Sequence, residues 1–440
     1  MNPAIFVLML MFGMIIAFAS GKFNFAVVAL CIPVILQGTG ILTAAQAWSG
    51  FSNTGVLLFV PLFMLGAILK KSSFMFHLRK FIRKLGQTRG ADIKILAVFG
   101  LISVLLCNFM NATAGIALMA PMIASVAADA KLPRRGLSKW TADLSCACRQ
   151  MLPFGTVLAV YATNNALLEA GGATERFQLM DPVLARLPFI LVWIVFMVIV
   201  GYKMFYSKWS GEDPVEAAQI AQEAIESTEE RGTALTPTQD KIAYFLFFGS
   251  VAAMLFGPMF TKIPILVWAF GFALAGIFLG IVTPKECLDN QVWISILLTA
   301  GTIPLTTAIT ETGAQEYIAS AVKFLTGGTT NLYVLTAIFF LIPMITTQFM
   351  NDIASSQIYY AIGIAACVGL GMDPRPVMMA IGIGALASMW TPMANSGQAL
   401  NFGSGGYTMG NYFKASFLPS MVYFLLFMLY QPIYINFILH

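Results

Sequence analysis

Cys107-Asn-Phe-Met-Asn-Ala112 returns 240 residues later as Thr347-Gln-Phe-Met-Asn-Asp352. Pro133-Arg134 likewise matches Pro374-Arg375 at a separation of 241, and Pro153-Phe-Gly155 matches Pro392-Met-Ala394 at 239. A register held over more than forty residues marks two copies of one unit (positions counted from the sequence). Each matched stretch puts amide side chains at the centre of a long apolar run, about 92–130 in the first half and about 331–370 in the second. Each apolar run could be two full crossings or a re-entrant hairpin; its polar centre would make a poor extracellular loop but a good hairpin tip, because non-helical backbone at membrane depth is tolerated where it lines a site. Internal repeats of this kind in a membrane chain point to a transporter.

The composition around these tips fixes the environment. Of 440 residues, 58% are hydrophobic and only 10% charged, against about 25% charged in a soluble domain. An all-α polytopic membrane protein is the expected class, and no large soluble domain remains to house an enzyme. The net charge of +5 is no nucleic-acid signal, since the basic residues concentrate in a few loops, as orientation signals do. Cys31, Cys107, Cys146, Cys148, Cys287 and Cys367 form no spaced framework and read as packing residues, and His77 and His440 are too few for a zinc or haem site. No cofactor is expected. The apolar opening Met1–Ala19 reads as a first membrane helix.

Apolar runs predict crossings near 3–20, 23–40 and 54–70, then the first hairpin, a broken helix at about 139–170 and a crossing at 183–204. A linker at 205–240 carries eight acidic residues from Glu212 to Asp240. The second unit, 241–440, follows with runs at 241–258, 263–282 and 291–311, the second hairpin, a broken helix at about 376–400 and a last crossing at 412–437. The segment 70–94 holds eight Lys or Arg, and the connection 131–139 adds Lys131, Arg134, Arg135 and Lys139. If both are cytoplasmic, each half has five transmembrane helices plus one re-entrant hairpin, and the odd number makes 1–204 and 241–440 inverted repeats. The linker then lies inside, and 71–90 reads as an amphipathic helix on the inner surface.

The residues that carry chemistry sit at the tips and breaks. Helix N-termini at a tip offer unpaired N–H groups to an anion, and helix C-terminal carbonyls suit a cation. Pro153-Phe-Gly-Thr156 and Thr391-Pro-Met-Ala-Asn-Ser-Gly-Gln398 interrupt the later helix of each half and free carbonyls there. Asp352 is the ionisable group at a tip; a midplane Asp costs about 2.5–3.5 kcal/mol on insertion scales, so it is a functional candidate that binds Na+ or carries a proton. Arg149, beside the first break, offers a planar fork for a substrate carboxylate or sulfate. A structural Arg149–Asp143 pair, or snorkelling to the inner face, is the alternative.

Phe109-Met-Asn-Ala-Thr-Ala-Gly115, followed by Pro121, resembles the signature of the divalent anion/sodium symporter family, within the ion transporter superfamily. Trp390-Thr-Pro-Met-Ala-Asn-Ser-Gly-Gln-Ala-Leu-Asn-Phe-Gly-Ser-Gly405 is similar to the second broken-helix motif of that family, and the resemblance spans roughly 40–430. It implies a scaffold with an elevator-type transport domain and a homodimer in the cell (inner) membrane. It also implies substrate contacts at Asn111, Thr113, Asn351 and Asp352, with Asn395, and cation contacts at Asn108, Ala112 and Gly155 in one half and Asp352 and Ala394 in the other. Asp352 stands where the family has a neutral amide, and an anionic group there repels a dianion unless a cation or proton neutralises it. The expected function is cation-coupled (Na+ or H+) secondary transport of a small anion, a di- or tricarboxylate or a related oxyanion such as sulfate. A Na+/H+ antiporter of the same superfamily, without organic substrate, is the alternative.

Overall fold

A computed structural model describes residues 2–20, 22–74, 77, 92–109, 116, 119, 123, 133–153, 156–208, 235–287, 290–325, 331–405 and 407–439. Helix is the sole regular structure among them. The first half contributes α1 (Pro3–Ala19), α2 (Phe25–Gly38), α3 (Thr54–Lys71), α4 (Asp92–Phe109), α5 (Arg134–Ala147), α6 (Thr156–Ala170) and α7 (Leu187–Phe196). Helix α7 runs on through a π-helical turn, Met197–Gly201, into Tyr202–Lys208. The second half contributes α8 (Pro237–Phe260), α9 (Ile265–Phe278), α10 (Asn290–Glu311), α11 (Ala314–Leu325), α12 (Leu332–Thr346), α13 (Asp352–Gly369), α14 (Arg375–Leu386), α15 (Ser396–Gly405) and α16 (Met409–Phe437).

Several apolar helices begin at an asparagine. Asn2, Asn24, Asn53, Asn331 and Asn351 each accept, through the side-chain oxygen, a 2.9 Å bond from the N–H two residues on. Such a cap satisfies a donor that the first turn leaves orphaned and is worth about 1 kcal/mol. Among the described residues, Thr54–Lys71, Asp181–Phe205, Pro237–Gly257 and Met409–Asn436 are long and apolar enough to cross a membrane. The shorter apolar helix α14 is packed inside the protein, where every residue from Pro376 to Leu386 is buried.

Helix starts repeat in register. Phe25, Asp92 and Thr156 recur as Ile265, Leu332 and Ser396, each 240 residues later, and Arg134 recurs as Arg375. The short helices Ala44–Ala47 and Pro284–Cys287 obey the same spacing. Contacts between the halves are exchanged as a two-fold axis requires. Helix α2 packs along α10, and its equivalent α9 packs along α3. Gln46 donates to Glu311 at 3.3 Å, while the equivalent pair, Glu286 and Lys71, meets at 2.9 Å. Glu286 also caps its own short helix, accepting from the Thr283 N–H at 2.8 Å. That bond first, and Lys71 second, hold its carboxyl down at about 2. This contribution is present above the ordinary glutamate pKa and is lost as pH falls through about 2.

One feature departs from the sequence expectation. The connection 131–139 is not a basic loop throughout: α5 starts at Arg134, with Arg134 only 9% and Lys139 0% exposed. Its buried partners, described below, draw the lysine inward. The amphipathic α11 lies against α13, with Gly369 close to Ala319. The linker between 209 and 234, most of the amphipathic segment 71–90 and the tip of the first hairpin lie outside the described residues.

The α2–α10 seam depends on a missing side chain. A Cβ on Gly301 would meet the Ala29 carbonyl oxygen at 2.5 Å, whereas one on Gly271 would meet nothing within 4 Å. Overpacking such a seam costs about 1–3 kcal/mol. Gly301→Val is therefore expected to lower the melting temperature of the purified protein by several degrees, and Gly271→Ala to leave it unchanged. Equal melting of both variants would show that the seam is not close-packed.

Candidate functional site

Two interrupted helices and the C-terminal ends of α4 and α12 meet in the interior. The first interruption separates α5 from α6 and the second separates α14 from α15. Each leaves carbonyl and N–H groups without helical partners, and in each half one amide side chain from the hairpin arm answers them. Asn108, at the end of α4, donates to its own helix at Val104 O (2.8 Å) and across the break to Cys148 O (2.8 Å). Its oxygen accepts from the N–H groups of Met151 (3.0 Å) and Leu152 (3.2 Å). Gln348, its equivalent after α12, donates to Met344 O (2.7 Å) and Ala387 O (2.9 Å) and accepts from Trp390 N (2.8 Å). Thr391 adds a hydroxyl bond to the Gln348 carbonyl. Both amides are 1% exposed, and both clamp a hairpin arm to the broken helix of its own half. Asn108 was expected as a cation contact; its side-chain amide is fully engaged by protein groups.

The two halves are then joined by charge. Arg149 follows α5 in the first break, and its Nη2 donates to Asp352 Oδ2, while Nε donates to Cys146 O at 3.2 Å. The expected alternative, an Arg149–Asp143 pair, is not what forms. Arg149 reaches the second tip, and Asp143 is taken by Lys139, one helical turn before it on the same face. Asp352 opens α13 behind its cap Asn351, and its other oxygen accepts from Ile353 N at 2.9 Å. The ion pair lies largely inside, with 16% of the arginine side chain and 5% of the aspartate exposed. Gln150 next to Arg149 has φ 60°, the left-handed region, and is alone in this among the described non-glycine residues. Strain of order 1–3 kcal/mol at such a residue persists only where its surroundings over-determine it.

A second charged cluster lies behind the second break. Lys139 Nζ contacts Asp143 Oδ1 at 2.5 Å, Met389 O at 2.7 Å and Gln398 Oε1 at 3.4 Å, and lies 3.9 Å from the centre of the Tyr412 ring. Asp143 also accepts from Ser416 (2.6 Å) and Gln398 (3.0 Å). Asn395 turns inward, donating to Ser388 Oγ at 2.8 Å and Cys146 Sγ at 3.1 Å. Ala394 is fully buried in the second break. Asn111, Ala112, Thr113 and Gly155 lie outside the described residues. The structure therefore brings Arg149, Asn351 and Asp352 together, and it places Asn395 against Cys146. Sequence reasoning missed Lys139, the role of Gln348, and Arg186, whose Nη1 donates to Gln150 O in the first break at 3.3 Å. Gln348 had a signal, its register with Asn108; Lys139 looked like one more cation of a loop.

The described residues form an all-helical fold in which α4 and α12 are clamped to broken helices around a buried ion pair, as in a polytopic helical membrane protein. The sequence profile of the citrate transporter family matches residues 15–384, and the chain belongs to that family. It is 27% identical over 143 residues to an uncharacterized transporter of Haemophilus influenzae, covering 32% of this chain and 31% of that one. It is 27% identical over 137 residues to the uncharacterized transporter YfbS of Escherichia coli, covering 29% of this chain and 22% of that one. The alignments thus span under a third of those relatives' length. Among solved structures, the fold is similar to the YdaH transporter of Alcanivorax borkumensis, at 13% identity and a TM-score of 0.58 over 99% of both chains. It is also similar to MtrF of Neisseria gonorrhoeae, described as illuminating a class of antimetabolite efflux pumps, at 15% identity and a TM-score of 0.62 over 98% of this chain and 95% of that one. The family and the fold relatives are transporters, not enzymes.

Removing a clamp orphans several buried backbone groups at once, at about 1–3 kcal/mol each. Asn108→Ala and Gln348→Ala are each expected to lower the melting temperature more than Asn24→Ala, which removes one exposed helix cap. The ranking is read by thermal melting in detergent. A smaller effect at 108 and 348 than at 24 would show that the amides do not hold the breaks.

Proposed function

We propose that the protein is a cation-coupled secondary transporter of a small anion, with di- and tricarboxylates such as citrate as the substrate class. The observation that carries this reading is the Arg149–Asp352 pair, which spans from the first break to the tip of the second hairpin. In the empty carrier Asp352 neutralises Arg149. A substrate carboxylate has the same charge and geometry as Asp352 and can take its place on the guanidinium, with the N–H groups at the start of α13 beside it. Asp352 is then left as a buried carboxylate without its partner. An uncompensated charge at membrane depth costs about 3 kcal/mol, roughly a hundredfold in occupancy. Na+ or H+ at Asp352 removes that cost, so anion binding and cation binding favour one another.

Several finer features belong to the same proposal. The motif resemblance to divalent anion/sodium symporters supports Asn111, Thr113, Asn351 and Asn395 as substrate contacts. It supports Ala112, Gly155, Asp352 and Ala394 as cation contacts, while Asn108, whose amide is taken up by the first break, holds that site's frame. In this reading 1–204 and 241–440 are inverted repeats joined by a cytoplasmic acidic linker. The hairpins and broken helices move together, as an elevator, against a scaffold that dimerises in the cell membrane.

Counterflow of labelled citrate, succinate and sulfate in proteoliposomes, with imposed Na+ or pH gradients, tests the substrate and the coupling. Asp352→Asn is expected to abolish gradient-driven accumulation while substrate-for-substrate exchange continues. Arg149→Lys, which keeps the charge but loses the fork, is expected to raise KM at least tenfold. Wild-type kinetics and wild-type cation dependence in both variants would reduce the pair to a structural bridge and remove the basis of this reading.

A further inference from the structure

Carbonyls freed by a helix break at membrane depth need a positive partner, and in transporters that partner is commonly a bound cation. Here a carbonyl at the equivalent position of each break already has one. Met389 O accepts from Lys139 Nζ at 2.7 Å, and Gln150 O, 239 residues earlier, accepts from Arg186 Nη1 at 3.3 Å. Both basic residues are buried, at 0% and 1% exposure. They come from unrelated places in the repeat, Lys139 from the middle of α5 and Arg186 from the residue before α7. Duplication therefore did not copy one into the other; two different side chains meet one requirement.

The surroundings of Lys139 resemble a monovalent cation site. Its ammonium is met by a carboxylate oxygen of Asp143, a main-chain oxygen of Met389, an amide oxygen of Gln398 and the face of Tyr412. Oxygen donors and an aromatic face are what a hard or ammonium cation selects. The other titratable group facing the cluster is Cys146, which accepts from Gln398 at 3.4 Å. A buried ammonium has three N–H donors to satisfy, and besides Asp143 and Gln398 it takes as acceptor the Met389 carbonyl, 250 residues away in the other half. We infer that Lys139 is the resident cation of the second helix break: a positioning residue whose ammonium takes the place of a bound alkali ion, as Arg186 caps the first break. The inference borrows from the proposed function only the view that the breaks serve transport.

Alkylation of Cys146 by N-ethylmaleimide in native membranes, followed by peptide mass spectrometry, reads the packing of the break without a transport assay. Cys146 is buried against Asn395, within the second break. In Lys139→Ala, labelling of Cys146 is expected to rise at least tenfold over wild type, and millimolar methylammonium, but not choline, is expected to restore protection. The neutral pair Lys139→Gln with Asp143→Asn leaves no unpaired charge, so it guards against simple misfolding. It too is expected to label at least tenfold faster, because the Met389 carbonyl has lost its cation. Wild-type labelling of the neutral pair, or labelling of Lys139→Ala that methylammonium does not slow, would make Lys139 an ordinary ion-pair partner and overturn the inference. Failure of wild-type protein to carry any carboxylate would defeat the proposed function and leave these labelling results standing.

Discussion

Main-chain polar groups inside a membrane must be satisfied by the protein itself, and the whole arrangement follows from how the helix breaks meet that demand. A continuous helix answers its own N–H and C=O groups, whereas a broken one does not, and each orphan costs several kcal/mol in hydrocarbon (on the order of the transfer penalty of an unpaired amide). The protein answers with one amide per half. Asn108 and Gln348 each bridge a carbonyl of their own helix to a carbonyl of the break and accept N–H groups in return. Because each clamp starts on a hairpin arm, the break and the hairpin of one half are bound into a unit.

Charge then binds the units across the two-fold. Arg149 stands in the first break and Asp352 at the start of α13 in the other half, so the ion pair joins the two halves. Lys139 makes the same connection in a second place, from α5 to the Met389 carbonyl. Buried ion pairs seldom add much net stability, yet breaking one by removing a partner is expensive. A site built in this way is therefore sensitive to anything that replaces one partner. Arg186 differs from both: its Nε and Nη2 have no hydrogen-bond partner among the described residues.

The outer shell is simpler in its physics. Small residues let the seams close, as where Gly301 meets Ala29 and Gly55 meets the main chain at Thr163. Exchanged pairs at the helix ends, Gln46 with Glu311 and Glu286 with Lys71, repeat one contact twice. Without a hydrophobic force between helices in lipid, such close approach and polar bridging are the available means of association.

Apolar run length and the 240-residue register are local or periodic properties, and they were legible along the chain. They placed the helices from Phe25, Asp92, Ile265 and Leu332 within a few residues and marked both tips as polar. Pro153 and Pro392 marked the breaks for the same reason, since a missing donor is visible in the residue type. Partner choice was not legible. Arg149 has Asp143 nearby in sequence, and Lys139 sits among other cations at 131–139, so sequence proximity favours an Arg149–Asp143 pair and a solvated lysine. Chain folding instead turns Lys139 and Asp143 to one face, one helical turn apart, and brings Asp352 to Arg149 from 203 positions away. Which charges meet depends on which helix faces point inward once both breaks are closed, and only the tertiary structure decides that.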